Sequence, residues 1–237
     1  MKLLKTRKVL LVFFLVIILF AAFFLLNQFL SIKHIIVESD NSKNSLRSLE
    51  SLKKQNIVVL NTKKTENTIK NGNPLVKQVI IKKIFPDTLR LSVQYQSPIA
   101  ELQVAGGYFI LSSDGTVLEK THDRTSGKLP QIHYYQSFDY YAFPPGAKLN
   151  YKDLISSIFF LQKALDLNLS VDNIDINGLN MIVFSLDSKR ILFTTEKGLE
   201  QQAHELQSII RQFKVDGKDF KELDLRFDRP VVRSLAI

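Results

Sequence analysis

The chain has 237 residues, no cysteine and a formal net charge of +9. Without cysteine there is no disulfide, no thiol catalysis and no cysteine-ligated zinc, so packing alone must hold the fold. The length suits one large domain or two modest ones. The charge is uneven, a net +7 over residues 31–98 and a net −2 over residues 99–237, and the change of sign marks a domain boundary near residue 98.

The first eight residues carry Lys2, Lys5, Arg7 and Lys8 and no acid. Val9–Leu26 follows, a run of Val, Leu, Ile and Phe broken only by Ala21 and Ala22. A helix over residues 9–30 is about 33 Å long, enough for a hydrocarbon core of about 30 Å. The run has no polar face, as a helix of a soluble domain would. The basic residues before it are expected to stay in the cytoplasm, with everything after residue 30 outside. A cleaved signal peptide has a shorter apolar region ending in small residues. This run ends in Phe23, Phe24, Leu25, Leu26, Asn27, Gln28 and Phe29, so an uncleaved signal anchor is expected. The basic segment just outside suits anionic lipid headgroups, with a solvated basic surface as the alternative. Nucleic acid is not a partner expected there.

Residues 31–97 are predicted to form one small domain. Ile32–Ser39 is a first strand, rich in β-branched residues. Asn44–Lys54 spaces Leu46, Leu49 and Leu52 for one helix face. Thr62–Gly72 is a second helix, with Thr62 as its cap and Gly72 as its end. Val76–Phe85 and Thr88–Tyr95 are strands joined by the turn residues Pro86 and Asp87. The order is β-α-α-β-β, two helices against a three-stranded sheet.

Residues 98–228 are predicted to form a second domain. It opens with Ile99–Val104, then Tyr108–Ser112 and Thr116–Glu119 around Asp114-Gly115, a type I′ hairpin turn. Residues 121–150 look irregular, with an aromatic cluster of Tyr134, Tyr135, Phe138, Tyr140, Tyr141 and Phe143 expected to pack beneath a long loop. Tyr151–Leu167 is an amphipathic helix through Leu154, Ile155, Ile158, Leu161 and Leu165, with Asn150 as cap. Strands Asp172–Asn177, Met181–Leu186 and Arg190–Thr195 precede a helix over Gly198–Lys214, whose Leu199, Ala203, Leu206, Ile210 and Phe213 share a side. The last strand, Glu222–Phe227, turns Leu223, Leu225 and Phe227 one way and Glu222, Asp224 and Arg226 the other.

Four pieces of this sequence carry a resemblance. They are Asn73-Pro74-Leu75-Val76, Phe85-Pro86-Asp87-Thr88-Leu89, Pro98-Ile99-Ala100 and Asp224-Leu225-Arg226-Phe227. In this order behind a signal anchor, the chain resembles the bacterial cell-division family FtsQ, also called DivIB. It departs from the family pattern at Glu38-Ser39, where a Gly is usual, at Phe85, where a Trp is usual, and at Phe193-Thr194-Thr195. The resemblance implies an α+β protein: a single transmembrane helix, a POTRA domain, and a mainly antiparallel β domain with two helices. It implies a non-enzymatic divisome scaffold at the septum of the cell membrane. It also implies partners of the FtsB/DivIC and FtsL type, docked on the last strand, with other division proteins met through the POTRA domain.

No catalytic motif of a hydrolase or phosphate-binding loop occurs. His34, His122, His133 and His204 lack metal-ligand spacing, and neither cofactor nor metal is expected. Pro230 cannot donate to a ladder, which places residues 229–237 at a sheet edge, with a frayed terminus as the alternative. An open edge accepts a partner strand. Phe227, Val231 and Val232 offer apolar anchors, and Arg226, Arg229 and Arg233 select an acidic partner. The resemblance reaches Arg226, Phe227 and Asp228 within this set. The rival functions are another POTRA-bearing envelope assembly or secretion component and a membrane-tethered cell-wall hydrolase.

Overall fold

A computed structural model describes residues 2–39, 46–47, 49–125, 129–178 and 180–234, with the backbone alone at residues 2–13 and 23. The chain divides into two compact units, Met1–Tyr95 and Gln96–Ile237.

The first unit opens with α1, Lys2–Phe29, about 42 Å long at 1.5 Å per residue. Its apolar side chains face outward, among them Phe20, Phe24, Leu25 and Phe29. Among the described side chains, which start at Phe14 and skip residue 23, no helix is long and apolar enough to cross a membrane. The side chains of Lys2, Lys5, Arg7 and Lys8 lie outside those described.

After α1 come β1 (His34–Ser39), α2 (Thr62–Gly72), β2 (Val76–Ile84) and β3 (Thr88–Tyr95). β3 lies in the middle of the sheet, parallel to β1 and antiparallel to β2. Its alternate residues Leu89, Leu91, Val93 and Tyr95 are buried, as the period of two requires. α2 turns Ile69 into the same core, and its Glu66 accepts the Ile81 N–H at 2.7 Å, satisfying an edge donor. The cap of α2 is Asn61 rather than Thr62, its side chain accepting from the Lys64 amide at 3.1 Å.

The helix expected over Asn44–Lys54 falls partly outside the described residues, at 44, 45 and 48. Its described part holds only a 3-10 turn, Glu50–Leu52. Lys53 is extended and Lys54 has a φ of 70°, so the backbone cannot continue the helix. Leu52 is nonetheless buried, with Leu46 and Leu49 packed against the core. Asn73, the first residue of the Asn-Pro-Leu-Val motif, fastens this segment. Its Oδ1 accepts the Arg47 amide at 2.8 Å, and its Nδ2 donates to Ile69 O at 2.7 Å.

The second unit is a nine-stranded mixed sheet with two helices. Its strands are β4 (Pro98–Val104), β5 (Gly107–Ser112), β6 (Val117–Thr121), β7 (Gln131–Tyr134), β8 (Asn173–Asn177), β9 (Met181–Leu186), β10 (Lys189–Thr194), β11 (Phe220–Asp224) and β12 (Val231–Ser234). They lie in the order β12-β11-β10-β9-β8-β7-β4-β5-β6. The pairs β4/β7, β7/β8 and β10/β11 are parallel, and the other neighbours are antiparallel. The helices are α3 (Lys152–Asp166) and α4 (Leu199–Asp216). Phe160 of α3 stacks on Phe193 of β10 at 4.1 Å between centroids, and Phe184 of β9 meets Phe193 edge-on at 5.0 Å.

β7 lies in the stretch expected to be irregular. It has four residues, too short a run for its alternation to stand out. It bridges the two halves of the sheet, between β4 and β8. The aromatic cluster that follows extends the main core: Tyr134 stacks on Phe138 at 5.0 Å, while Phe143 meets Phe109 of β5 edge-on. Tyr141 is left exposed. In α3, Leu154, Ile158 and Leu161 are buried as expected, but Leu165 is exposed. The residue at its cap position is Tyr151, which makes no side-chain cap bond. Asn150 is therefore not the cap.

The Asp114-Gly115 turn also differs from expectation. Only Gly115 takes positive φ, at +80°, so the turn is not type I′. Asp114 serves as its hub. The carboxylate accepts from Ser112 Oγ at 2.6 Å, Thr116 Oγ1 at 2.8 Å and Gln96 Nε2 at 3.1 Å, with Lys148 at 3.6 Å. Burial pushes its pKa up, but these donors and Lys148 outweigh burial and hold it at about 2. A depressed carboxylate contributes stability that is full above its unfolded value and vanishes as pH falls through the folded one. Acid titration of Asp114→Asn should therefore lack a loss of about 1 kcal/mol that the native chain shows between about pH 4 and 2, a figure discounted for solvent screening. Identical acid profiles would refute this role.

Gln202 of α4 is fully buried. Its Oε1 accepts the Thr194 amide at 2.9 Å, and its Nε2 donates to Thr194 O at 2.8 Å and Lys197 O at 3.0 Å. The side chain thus continues the ladder where β10 ends. Gln202→Leu leaves these backbone groups unpaired and should cost about 2–3 kcal/mol in a urea titration. An unshifted midpoint would show that the amide is dispensable.

Candidate functional site

The site foreseen at the end of the chain is a hairpin, β11 to β12. β11 pairs with β10 through Arg190↔Glu222, Ile191↔Leu223 and Leu192↔Asp224. β12 returns antiparallel, with Asp224↔Val231, Leu223↔Val232 and Glu222↔Arg233. β12 closes one end of the sheet, so among the described residues its outer edge has no strand neighbour. The segment runs as a strand through Ser234; residues 235–237 lie outside those described. All four β12 residues are exposed, including Val231 at 49% and Val232 at 37%.

The last core strand is shorter than expected and ends at Asp224. Leu223 and Leu225 are buried, but Phe227 is 55% exposed and does not share their face. Side chains pull the backbone out of the sheet here. Arg226 folds back onto Asp224 in a bidentate pair, Nε to Oδ1 at 2.9 Å and Nη2 to Oδ2 at 2.6 Å. The Arg226 amide also donates to Asp224 Oδ1 at 3.1 Å. Burial raises the Asp224 pKa, but the Arg226 hydrogen bonds and charge prevail and hold it below the usual carboxylate range. The Arg226 guanidinium also lies 5.6 Å from the Phe227 ring centroid.

Lys197, just before α4, is a side chain of this hairpin's surroundings that sequence reading missed. Its side chain is 8% exposed, and its Nζ pairs with Glu205 Oε2 at 2.5 Å. The same Nζ donates to Leu225 O at 3.2 Å and Phe227 O at 2.7 Å. It thereby holds the turn that presents Phe227. No local pattern marks a lysine that works across 28 residues of chain.

The predicted arginines divide by role. Arg226 is spent on Asp224. Arg233 faces Glu222 at 3.5 Å, a carboxylate that Arg190 also holds at 2.9 Å. Arg229 and Asp228 stand exposed in the turn. Beside the hairpin lies a groove of about 750 Å³ lined by Met181, Glu196, Lys197, Arg226, Phe227 and Asp228. The site thus combines an open strand edge, apolar Phe227, Val231 and Val232, and mixed charge. Those are the materials of strand addition.

Asp114 is a turn hub. His122 Nδ1 donates to Gly106 O, 2.9 Å away, and the ring stacks on Tyr140. Among the described residues no cluster of His, Asp and Glu is arranged to hold a metal ion.

Comparison with curated protein sequences gives no match. Comparison with family models matches residues 30–94 to the POTRA domain, FtsQ-type. The matched segment is the sheet of β1, β3 and β2 with α2 upon it. Residues 30–94 are accordingly a POTRA domain of the FtsQ type, which supports the resemblance to the FtsQ/DivIB cell-division family carried by the motifs.

Proposed function

We propose that this chain is a single-pass membrane scaffold of the bacterial divisome. α1 anchors it with the amino terminus in the cytoplasm, and the POTRA domain and the β unit stand outside at the septum. The β unit captures partners of the FtsB/DivIC and FtsL type by strand addition on β12. The POTRA domain contacts other division proteins. The protein organises septal wall synthesis without catalysing a step of it.

The observation that carries this reading is the FtsQ-type POTRA domain, which begins at residue 30, where α1 ends. The exposed edge of β12 gives the reading its docking surface. The test is co-purification of the full chain, in detergent or nanodiscs, with an FtsB/DivIC-FtsL type pair from the same cell. A stable complex is expected. Separate elution of the chain and the pair would contradict the proposal.

A further inference from the structure

The Asn56–Leu60 turn of the POTRA domain is bonded to the chain leaving α1 and, through Asn56, to α1 itself. Leu30 O accepts the Ile57 amide at 2.8 Å, and Ile32 exchanges bonds with Gln55 and Lys54 at 2.9 and 3.0 Å. Asn56 Nδ2 donates to Asn27 Oδ1 at 2.6 Å. The Asn56–Leu60 turn is thereby fixed beside the last turn of the helix. Within it Val58 and Val59 are apolar and exposed, at 54% and 81%. Val58 lies within about 7 Å of extended chain from Asn56.

A second apolar point converges on the same end. Strand register places the β2–β3 hairpin tip beside the start of β1, with Ile84↔Thr88 and His34↔Thr88. The Lys33 and His34 amides both donate to Asp87 O in that tip. Phe85, in the tip, is 60% exposed. Lys83 joins the two loops, its Nζ donating to Val58 O at 3.1 Å. Lys33 and Lys54 are exposed on the same rim, Lys33 sitting 3.7 Å from Asp87.

An exposed Val-Val pair and an exposed Phe, interleaved with lysines, are costly to leave in water. They suit the boundary between headgroups and acyl chains, where aromatic residues anchor and cations meet anionic lipid. α1 exposes apolar side chains up to Phe29 and offers Asn27 at the level of this rim. We propose that the rim of the POTRA domain is itself a membrane contact. Val58, Val59 and Phe85 enter the outer boundary of the leaflet from which α1 emerges, with Lys33, Lys54 and Lys83 among anionic headgroups. The inference rests on the reading of α1 as the anchor. It makes the POTRA domain lie against the bilayer rather than swing on a free linker.

The chain has no cysteine, so single cysteines report unambiguously. Full-length Val59→Cys, Phe85→Cys, Asn71→Cys and Leu19→Cys are labelled with a polarity-sensitive fluorophore. They are placed in nanodiscs of phosphatidylcholine, with or without one-third phosphatidylglycerol. Asn71 lies at the opposite end of α2, about 16 Å from the rim. Quencher-bearing lipids should dim the probes at positions 59 and 85 about two-fold, more so with phosphatidylglycerol and at low salt, and leave position 71 unchanged. A deep quencher should dim position 19. Quenching at 19 but none at 59 and 85 overturns the rim and leaves the anchor standing. A blue-shifted but unquenched probe at 59 and 85 also overturns it, because protein rather than lipid then covers the rim. No quenching at 19 overturns the anchor reading and the rim with it.

Discussion

Val231→Pro should weaken capture of the FtsB/DivIC-type partner by the full chain about 50-fold, read by titration in nanodiscs. The reason lies in the alternation of an antiparallel ladder. Successive residues of β12 direct their N–H groups to β11 or to the open side. Proline removes the donor at 231 whichever way it points. If outward, a bond to the incoming strand is lost; if inward, the hairpin to β11 is loosened and the edge loses its shape. A lost bond of about 1 kcal/mol plus the clash of the ring amounts to about 2–3 kcal/mol. Phe227→Lys gives an independent arm: it leaves the backbone intact and removes an exposed apolar anchor, for an expected loss of about ten-fold. Unaltered affinity in both variants would show that the partner docks elsewhere, even in a true divisome scaffold.

Lys197→Met should lower the unfolding free energy of the β unit by about 3 kcal/mol, seen as a shifted urea midpoint at unchanged slope. The methionine keeps the stem but leaves Glu205 without its cation and the Leu225 and Phe227 carbonyls without their shared donor. Removing one member of a nearly buried pair costs more than removing both. The double variant Lys197→Met with Glu205→Leu should therefore recover part of the loss. Partner affinity should fall in the single variant too, since the turn that carries Phe227 is no longer held. An unmoved midpoint would mean that Arg226 and Asp224 shape the turn unaided.

How far the sequence foretold these features depends on the range of the interactions behind them. β2 and β3 are legible because their apolar alternation and turn residues are local, and α2 because its start and end signals are. The hairpin residues Pro86 and Asp87 are legible for the same reason, whereas Asn73 is legible only as a motif residue, since its amide holds Arg47, 26 residues away. β7 was hidden because four residues are too short a run for their alternation to stand out, and its place is set by parallel neighbours far away in sequence. The C-terminal edge was legible through Pro230, which bars a central strand. The direction of Phe227 was not. Alternation places it with Leu223 and Leu225, whereas the Arg226–Asp224 pair and Lys197 turn it out to solvent. Count and spacing cannot tell that Arg226 and Arg233 meet carboxylates within the fold while Arg229 is exposed in the turn.

If this chain assembles the division machinery at the membrane, as proposed, depleting it should change cell length. Long filaments are expected, in which the FtsB/DivIC-type protein no longer gathers at midcell. Cells that keep dividing at normal length, with that protein still at the septum, would contradict the proposal.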